Sequence, residues 1–203
     1  TLSPMVRAET LSVPKATTAS PTSDWKRLSA AFCEKFGANP KPDTEIANGL
    51  SDILEKTGYS PEAVACGDEL LSLRASGGRL LTAAVDIGTT SVVLYLADGR
   101  TGETIRTESM LNPQTEFGAD VISRASAAMN GKLGDLSNAI RSAVNGLLET
   151  ALSRENLVSD DVYSMTLVGN TCMHHLFMGI SPASARALSA RRSSVRAMKS
   201  NTE

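Results

Sequence analysis

The segment 86–91, Asp-Ile-Gly-Thr-Thr-Ser, interrupts an apolar stretch that otherwise has the composition of a buried strand. A turn of this kind presents consecutive backbone N–H groups, which can form a concave binding site for phosphate. Gly88 lets the backbone approach an anion without a Cβ clash, and the hydroxyls of Thr89, Thr90 and Ser91 can join the amides. We therefore predict that this turn cradles phosphate. The alternative is an ordinary turn in which aspartate and glycine only break the strand.

Asp86 ends the first strand of this pattern. Its charge prevents it from binding phosphate, but its carboxylate can hold a hydrated Mg²⁺ ion that neutralises the phosphates. The segment is not a P-loop, because the pattern G-x-x-x-x-G-K-[ST] is absent from the chain. We expect a magnesium holder directly beside the anion cradle.

A second polar turn lies within 167–177, LVGNTCMHHLF, where a strand gives way to a helix. Ligands of open α/β sheets bind at the carboxyl ends of strands. We therefore consider Gly169, Asn170 and Thr171 as candidates for orienting a water molecule or touching phosphate. The alternative is that Asn170 or Thr171 simply caps the helix.

A third stretch, 112–124, reads NPQTEFGADVISR and enters a helix near Asp120. The side chains of Asn112, Gln114 and Glu116 could face the same cleft as the two turns. The alternative is a plain connection with an aspartate at the start of the helix.

The histidines and cysteines do not predict a metal site. Cys33, Cys66 and Cys172 are far apart and form no C-x-x-C, so zinc and iron–sulfur ligation are not indicated, and the thiols are typical of a reducing cytoplasm. His174 and His175 are adjacent and point about 100° apart on a helix, so they cannot chelate one ion together. We expect one of them to pack inward.

Two regions of different character must position these residues. Residues 1–24 are rich in Ser, Thr and Pro and predict an extended linker, with one short strand near 6–13. Residues 25–79 predict a small, mostly helical middle domain, with Asp24 capping its first helix. It would contain helices at 25–36 and 44–57, and short helix and turn over 59–79.

From residue 80 the pattern changes to three strands arranged as a β-meander, helices near 120 and over 135–154, a fourth strand and a last helix. This order predicts an α/β fold for residues 80–182. Residues 183–203 are basic and Ser-rich and predict a divergent, disordered tail.

The bulk composition excludes several classes. The net charge is −2, and aromatic residues make up 4% of the 203 residues, so a nucleic-acid binder is not indicated. No apolar run reaches the length of a membrane span. The oligomeric state stays open, a homodimer included.

Taken together, the segments VDIGTTSVVLYLADGRTGE, NPQTEFGADVISR and VGNTCMHHLFMGISP resemble the ATPase domain of the reductive activators of corrinoid proteins. That domain is similar to the actin-like superfamily of acetate and sugar kinases, heat-shock chaperones and actin, with a ribonuclease H-like fold. The resemblance covers about residues 80–182, and the three motifs jointly are far more specific than any one. The stretch before residue 28 also resembles the linker of those activators.

The resemblance implies a mechanism. Family members use ATP to drive an electron from an iron–sulfur module to the cobalt of a corrinoid protein, returning Co(II) to the Co(I) used in methyl transfer. In this chain Asp86 would hold Mg²⁺, and 88–91 with Gly169 would bind the phosphates of ATP. Asn170 and Thr171 would lie near the γ-phosphate or its attacking water, by positional analogy. The implied setting is cytoplasmic, with a corrinoid protein as partner.

The departures from the family pattern are equally informative. No cysteine cluster precedes residue 80, the segments of a second ATPase lobe are absent, and the pattern fades after Pro182. We therefore expect a partial first lobe that binds ATP weakly or undetectably by itself. A small-molecule kinase of the same superfamily, with Asp120 as its catalytic carboxylate, and a non-enzymatic remnant that binds a partner are the alternatives.

Overall fold

The computed structural model describes residues 4–18, 21–41, 43–183 and 195–196. The chain divides into two compact units. The first runs to Leu80 and includes Gly99–Thr101, and the second comprises Leu81–Asp98 and the residues from Gly102 onward. Both are mixtures of helix and strand, so the chain is α/β. No helix among the described residues is long and apolar enough to cross a membrane.

The first unit is a three-stranded antiparallel sheet with two helices. The strands β1 (Val6–Thr10), β2 (Glu62–Cys66) and β3 (Glu69–Arg74) pair in the order β1-β2-β3. The helices are α1 (Asp24–Phe36) and α2 (Thr44–Lys56). The strand near 6–13 and both helices are confirmed, but the short helix predicted within 59–79 is wrong, since that segment forms the hairpin of β2 and β3.

The apolar side chains of α1 face the core of this unit. Leu28 and Phe32 are fully buried, and Trp25 and Phe36 pack against the same cluster. The cap of α1 differs from the prediction: Ser23, not Asp24, is the N-cap and accepts a hydrogen bond from the amide of Lys26.

The second unit is built on a five-stranded mixed sheet. Its strands are β4 (Leu81–Ile87), β5 (Ser91–Asp98), β6 (Thr104–Leu111), β7 (Val162–Gly169) and β8 (Val195–Arg196). They lie in the order β6-β5-β4-β7-β8. The β4–β5–β6 meander is antiparallel, as predicted, whereas β7 pairs parallel to β4.

Among the described residues of this unit, three α-helices occur: α3 (Val121–Ala127), α4 (Leu133–Arg154) and α5 (Thr171–Met178). All three lie where the sequence predicts them. The apolar residues of α4 and α5 share one core with the inward side chains of the sheet. The core includes Val85, Ile87, Val92, Leu94, Leu96, Leu136, Ile140, Val144, Leu167, Met173 and Leu176.

The tail from residue 183 lies largely outside the described residues. Two of its residues, Val195 and Arg196, pair antiparallel with Leu167 and Thr166. At this pair the chain is a strand, not the disordered tail that the composition predicts.

Four charged side chains join the edge strand β6 to the end of α4. Glu108 accepts hydrogen bonds from Arg106 Nε and Arg154 Nη1, both at 2.8 Å. Arg106 also reaches Glu155, at 3.3 Å. The hydrogen bond from Arg106, followed by the charges of Arg154 and Arg106, holds the pKa of Glu108 below its ordinary value.

We expect the acid stability of the second unit to depend on Glu108. Because its pKa is lower in the folded than in the unfolded chain, its contribution is present above the unfolded pKa and is lost as pH falls through the folded one. The melting temperature should therefore fall less between about pH 7 and about pH 3 in Glu108→Gln than in the wild type. Glu149→Gln, an exposed position on α4, is the control and should keep the wild-type loss. An equal loss in Glu108→Gln would contradict the assignment.

Candidate functional site

The structure brings the two predicted polar turns together. In the parallel pairing of β4 with β7, Ile87 lies opposite Gly169. The turn 88–90 and the segment 169–171 therefore leave the carboxyl ends of neighbouring parallel strands, which is where open α/β sheets bind ligands. The two backbones approach closely, because a Cβ atom on Gly169 would lie 2.9 Å from the Ile87 carbonyl oxygen.

Three consecutive carbonyl groups of the turn accept hydrogen bonds from the protein. The Gly88 oxygen accepts from Asn112 Nδ2 at 2.7 Å, and the Thr89 oxygen accepts from Arg124 Nη2 at 2.6 Å. The Thr90 oxygen accepts from the backbone amide of Asn112 at 2.9 Å. Asn112 and Arg124 thus hold the carbonyl side of the turn toward the protein.

This arrangement fixes where the amides of the turn point. In a trans peptide the C=O and the following N–H point in opposite directions, and no cis peptide is present among the described residues. The N–H groups of Thr89, Thr90 and Ser91 therefore point away from the partners of the preceding carbonyls. Successive amides of a turn can form a concave site for an anion. Thr90 and Ser91 are exposed, and Thr89 and Gly88 are half-buried.

Asp86 lies on the open face of the sheet. The side chains of β4 alternate, so that Val85 and Ile87 are buried while Ala84 and Asp86 are exposed. No cluster of three or more His, Cys, Asp or Glu side chains that could hold a metal ion occurs among the described residues. A single carboxylate fits Mg²⁺ bound together with phosphates, because Mg²⁺ keeps several of its waters and takes one or two protein carboxylates.

Asn170 serves as the N-cap of α5. Its Oδ1 accepts a hydrogen bond from the Met173 amide at 3.0 Å. This oxygen therefore caps the helix, as the alternative prediction for Asn170 states. The side chain is exposed and the adjoining Thr171 is half-buried. Both residues lie beside the turn 88–90. Because the side-chain oxygen of Asn170 caps the helix, its side-chain nitrogen Nδ2 is the atom that could bind a ligand.

The structure corrects the expectation that Asn112 and Gln114 face a cleft. Both are fully buried. Asn112 Oδ1 accepts from the Gln114 amide at 2.9 Å, and Gln114 Nε2 donates to the Leu136 carbonyl at 3.0 Å. Of the three side chains considered, Glu116 is the exposed one.

Asp120 caps α3, as the alternative for this stretch predicts. Its carboxylate accepts from the amide and the hydroxyl of Ser123, at 2.7 and 2.9 Å. These hydrogen bonds hold the pKa of Asp120 below its ordinary value.

Arg124 is a site residue that sequence reasoning missed. Its side chain is completely buried, its Nε donates to the Gly118 carbonyl at 2.8 Å, and its Nη1 lies 3.7 Å from Met173 Sδ. Burial lowers the pKa of the guanidinium. The sequence contained a sign of this role. Arg124 lies four residues before Ala128, a buried residue that directly follows α3, so helical periodicity places Arg124 on the same buried side. A basic residue on a buried side is unusual and indicates a specific role.

One of the two adjacent histidines packs inward, as predicted. His174 is buried, and His175 Nδ1 lies 2.7 Å from the Thr171 carbonyl oxygen. Neither histidine joins a cluster able to hold a metal ion within the described residues. Cys172 is half-buried near Arg124, and burial raises the pKa of its thiol.

Comparisons with known proteins agree on one family. The model of the RACo linker region matches residues 1–78, and the model of the RACo middle region matches residues 81–199. The corrinoid activation enzyme RamQ of Eubacterium limosum is 31% identical over 147 residues, which make up 70% of this chain and 25% of that protein. A solved structure described as a reductive activator for corrinoid, iron-sulfur protein superposes with a TM-score of 0.83 at 29% identity, covering 92% of this chain and 31% of that one.

These matches also relate the two units to the family's regions. The predicted extended linker (1–24) and helical middle domain (25–79) both fall within the family's linker region. The stretch interpreted as an ATPase lobe, 80–182, corresponds to the family's middle region, whose match continues to residue 199. The chain spans between a quarter and a third of the length of these relatives. With both family models matched in order and the α/β fold of the activator present, the chain belongs to the RACo family of corrinoid activators.

Proposed function

We propose that the second unit is the first lobe of an actin-like ATPase and binds the phosphates of Mg-ATP. Within an ATP-dependent reductive activator, this binding would help return a Co(II) corrinoid protein to Co(I) for methyl transfer. The observation that carries the proposal is the turn 88–90: its three carbonyls are held toward the protein, and its amides are available to an anion beside the end of β7.

Each residue of the site has a distinct task in this proposal. The amides and hydroxyls of 88–91 bind phosphate oxygens, and Gly169 allows β7 to come close enough to complete the wall. Asp86 holds Mg²⁺ through water, and this ion would neutralise the phosphate charge. Asn170 and Thr171 orient the terminal phosphate or the water that attacks it.

The partner and the electron source are proposed from the relatives. RamQ is named a corrinoid activation enzyme, and the superposed structure is named a reductive activator for a corrinoid, iron-sulfur protein. A corrinoid protein is therefore the proposed partner. The described cysteines do not fit an iron–sulfur cluster, since they join no metal-binding group, and no electron-transfer step is assigned to them.

The kinase alternative is less well supported. It requires Asp120 as a general base, which works best with a pKa near the working pH. The Asp120 carboxylate is instead engaged as a helix cap, and its hydrogen bonds lower its pKa.

A nuclear magnetic resonance titration of the 203-residue chain with Mg-ATP tests the proposal. We expect weak binding, with amide shifts concentrated at 88–91 and 169–171, because this chain supplies one wall of a two-walled cleft. In Asp86→Asn the shifts caused by ATP should depend less on Mg²⁺ than in the wild type, because the carboxylate that holds the ion is removed.

Asp160→Asn is the matched control. Asp160 is an exposed carboxylate just before β7, at the opposite end of that strand and roughly 26 Å from the site. It should retain the full Mg²⁺ dependence. Shifts scattered over both units, or an equal Mg²⁺ dependence in Asp86→Asn and the wild type, would refute the assignment.

A further inference from the structure

The buried guanidinium of Arg124 forms no ion pair with an acidic side chain in the part of the chain that the structure describes. Its hydrogen-bond acceptors are the carbonyl oxygens of Thr89 and Gly118, and the sulfur of Met173 lies against it. Among the described residues no carboxylate forms an ion pair with Arg124. The carboxylate of Asp120, which caps α3, acts on its charge without forming an ion pair.

A charge in this position is costly to the fold. Burying a charged group without a counter-ion is unfavourable, and such groups are normally paired. Two neutral carbonyls and one sulfur contact the three nitrogens of the guanidinium, but none of them carries a charge that balances it. Within the described part of the chain, no ion pair therefore offsets the positive charge of Arg124 where it meets the turn.

The positive charge of Arg124 lies directly behind the candidate site. Arg124 Nη2 is 2.6 Å from the Thr89 oxygen, so the guanidinium is separated from the outer side of the turn by one peptide group. The same peptide carries the Thr90 N–H, which points away from Arg124. An anion bound by this amide would meet the peptide dipole and, behind it, the guanidinium charge.

We propose that Arg124 is a positioning residue for a polyphosphate bound at the turn 88–90, and that its buried positive charge strengthens that binding from behind the backbone. The inference rests on the proposed function, since it concerns the same site. It adds that the affinity depends on a residue that never touches the ligand. The attraction should be largest for densely charged anions, because Coulomb energy scales with ligand charge.

Sodium tripolyphosphate in the absence of Mg²⁺ is the appropriate probe. It lacks the nucleoside and the metal, so the result is independent of whether the chain binds Mg-ATP. In a nuclear magnetic resonance titration of the whole chain we expect the amide resonances of Thr89, Thr90 and Ser91 to shift. Arg124→Gln, which removes the charge, should raise the dissociation constant on the order of tenfold. Arg124→Lys, which restores the charge, should recover most of the affinity.

Arg141→Gln is the matched control. Arg141 Nε donates to the Phe177 carbonyl at 2.8 Å, so this arginine also binds a backbone oxygen of the second unit, but away from the turn. Its dissociation constant should equal that of the wild type. A wild-type affinity in Arg124→Gln, or failure of Arg124→Lys to recover more affinity than Arg124→Gln, overturns the inference.

A measurement on the wild-type chain keeps the test decisive if Arg124→Gln does not fold. The Nε–H resonance of Arg124 should shift as tripolyphosphate is added, while that of Arg141 stays in place. An unmoved Arg124 resonance, or no amide shift at the turn, overturns the inference whatever Mg-ATP does. Turn shifts with tripolyphosphate but not with Mg-ATP would support Arg124 and count against the proposed ATP function.

Discussion

Replacing Asn112 with alanine is expected to lower the free energy of unfolding of the second unit by about 2–5 kcal/mol. The side chain is fully buried and makes two hydrogen bonds with the backbone, and its Nδ2 also lies 3.9 Å from Met173 Sδ. Its Nδ2 donates to the Gly88 carbonyl and its Oδ1 accepts from the Gln114 amide. Truncation would leave the buried Gln114 amide and the part-buried Gly88 carbonyl without these partners, and a buried group left in this way costs about 1–3 kcal/mol.

Urea denaturation followed by far-ultraviolet circular dichroism measures this loss. The single tryptophan, Trp25, lies in the first unit, so its fluorescence recorded in parallel indicates which unit has changed. Asn138→Ala, at an exposed position of α4, is the control and should stay within about 0.5 kcal/mol of the wild type. An equally small effect of Asn112→Ala would show that the turn does not depend on its buried support.

Gly169→Ala is expected to destabilise the second unit by about 1–3 kcal/mol, as overpacking does, and to abolish the response of the turn to tripolyphosphate. The added Cβ would lie 2.9 Å from the Ile87 carbonyl oxygen and 3.4 Å from the Met173 Cβ. Because the first of these contacts is with backbone, the pairing of β4 and β7 must open at the point where the candidate site is formed.

Gly146→Ala gives a control of opposite sign. Gly146 lies within α4, and nothing is within 4 Å of an added Cβ. Alanine there should stabilise the chain by about 0.5–1 kcal/mol. Thermal melts of the two variants together with the tripolyphosphate titration provide the measurement. A Gly169→Ala chain that melts and binds like the wild type would show that close approach of the strands is unimportant.

Most of the second unit could be predicted from sequence, because its elements carry local sequence patterns that extend over many residues. The 22 residues of α4 carry a sustained apolar stripe, and the meander strands are separated by clear glycine turns. The first unit was harder. The strands β2 and β3 are short, with five and six residues, and short apolar runs do not distinguish strand from helix. The two strands are separated by Gly67-Asp68, and Gly67 has a φ of 62°. Two such residues between short apolar runs are typical of a β-hairpin, so they favour strands over a helix.

The site divides in the same way. The turn at 88–91 and the strand end at Gly169 are predictable because glycine, hydroxyl residues and aspartate mark them locally. The support of the turn is not local: Asn112 and Arg124 lie 24 and 35 residues from the carbonyls they bind. Only the paired sheet and the packed α3 bring these side chains beneath the turn.

The arrangement of the turn, with the carbonyls of 88–90 held toward the protein, has an evolutionary consequence. The groups offered to a ligand at 88–91 are largely main-chain amides, which every residue except proline supplies. The exposed side chains at 88–91 are therefore less constrained in evolution than the buried residues that orient the backbone. In relatives of this chain, the persistence of such a site is better judged from the interior positions corresponding to Asn112 and Arg124 than from the surface residues that meet the ligand.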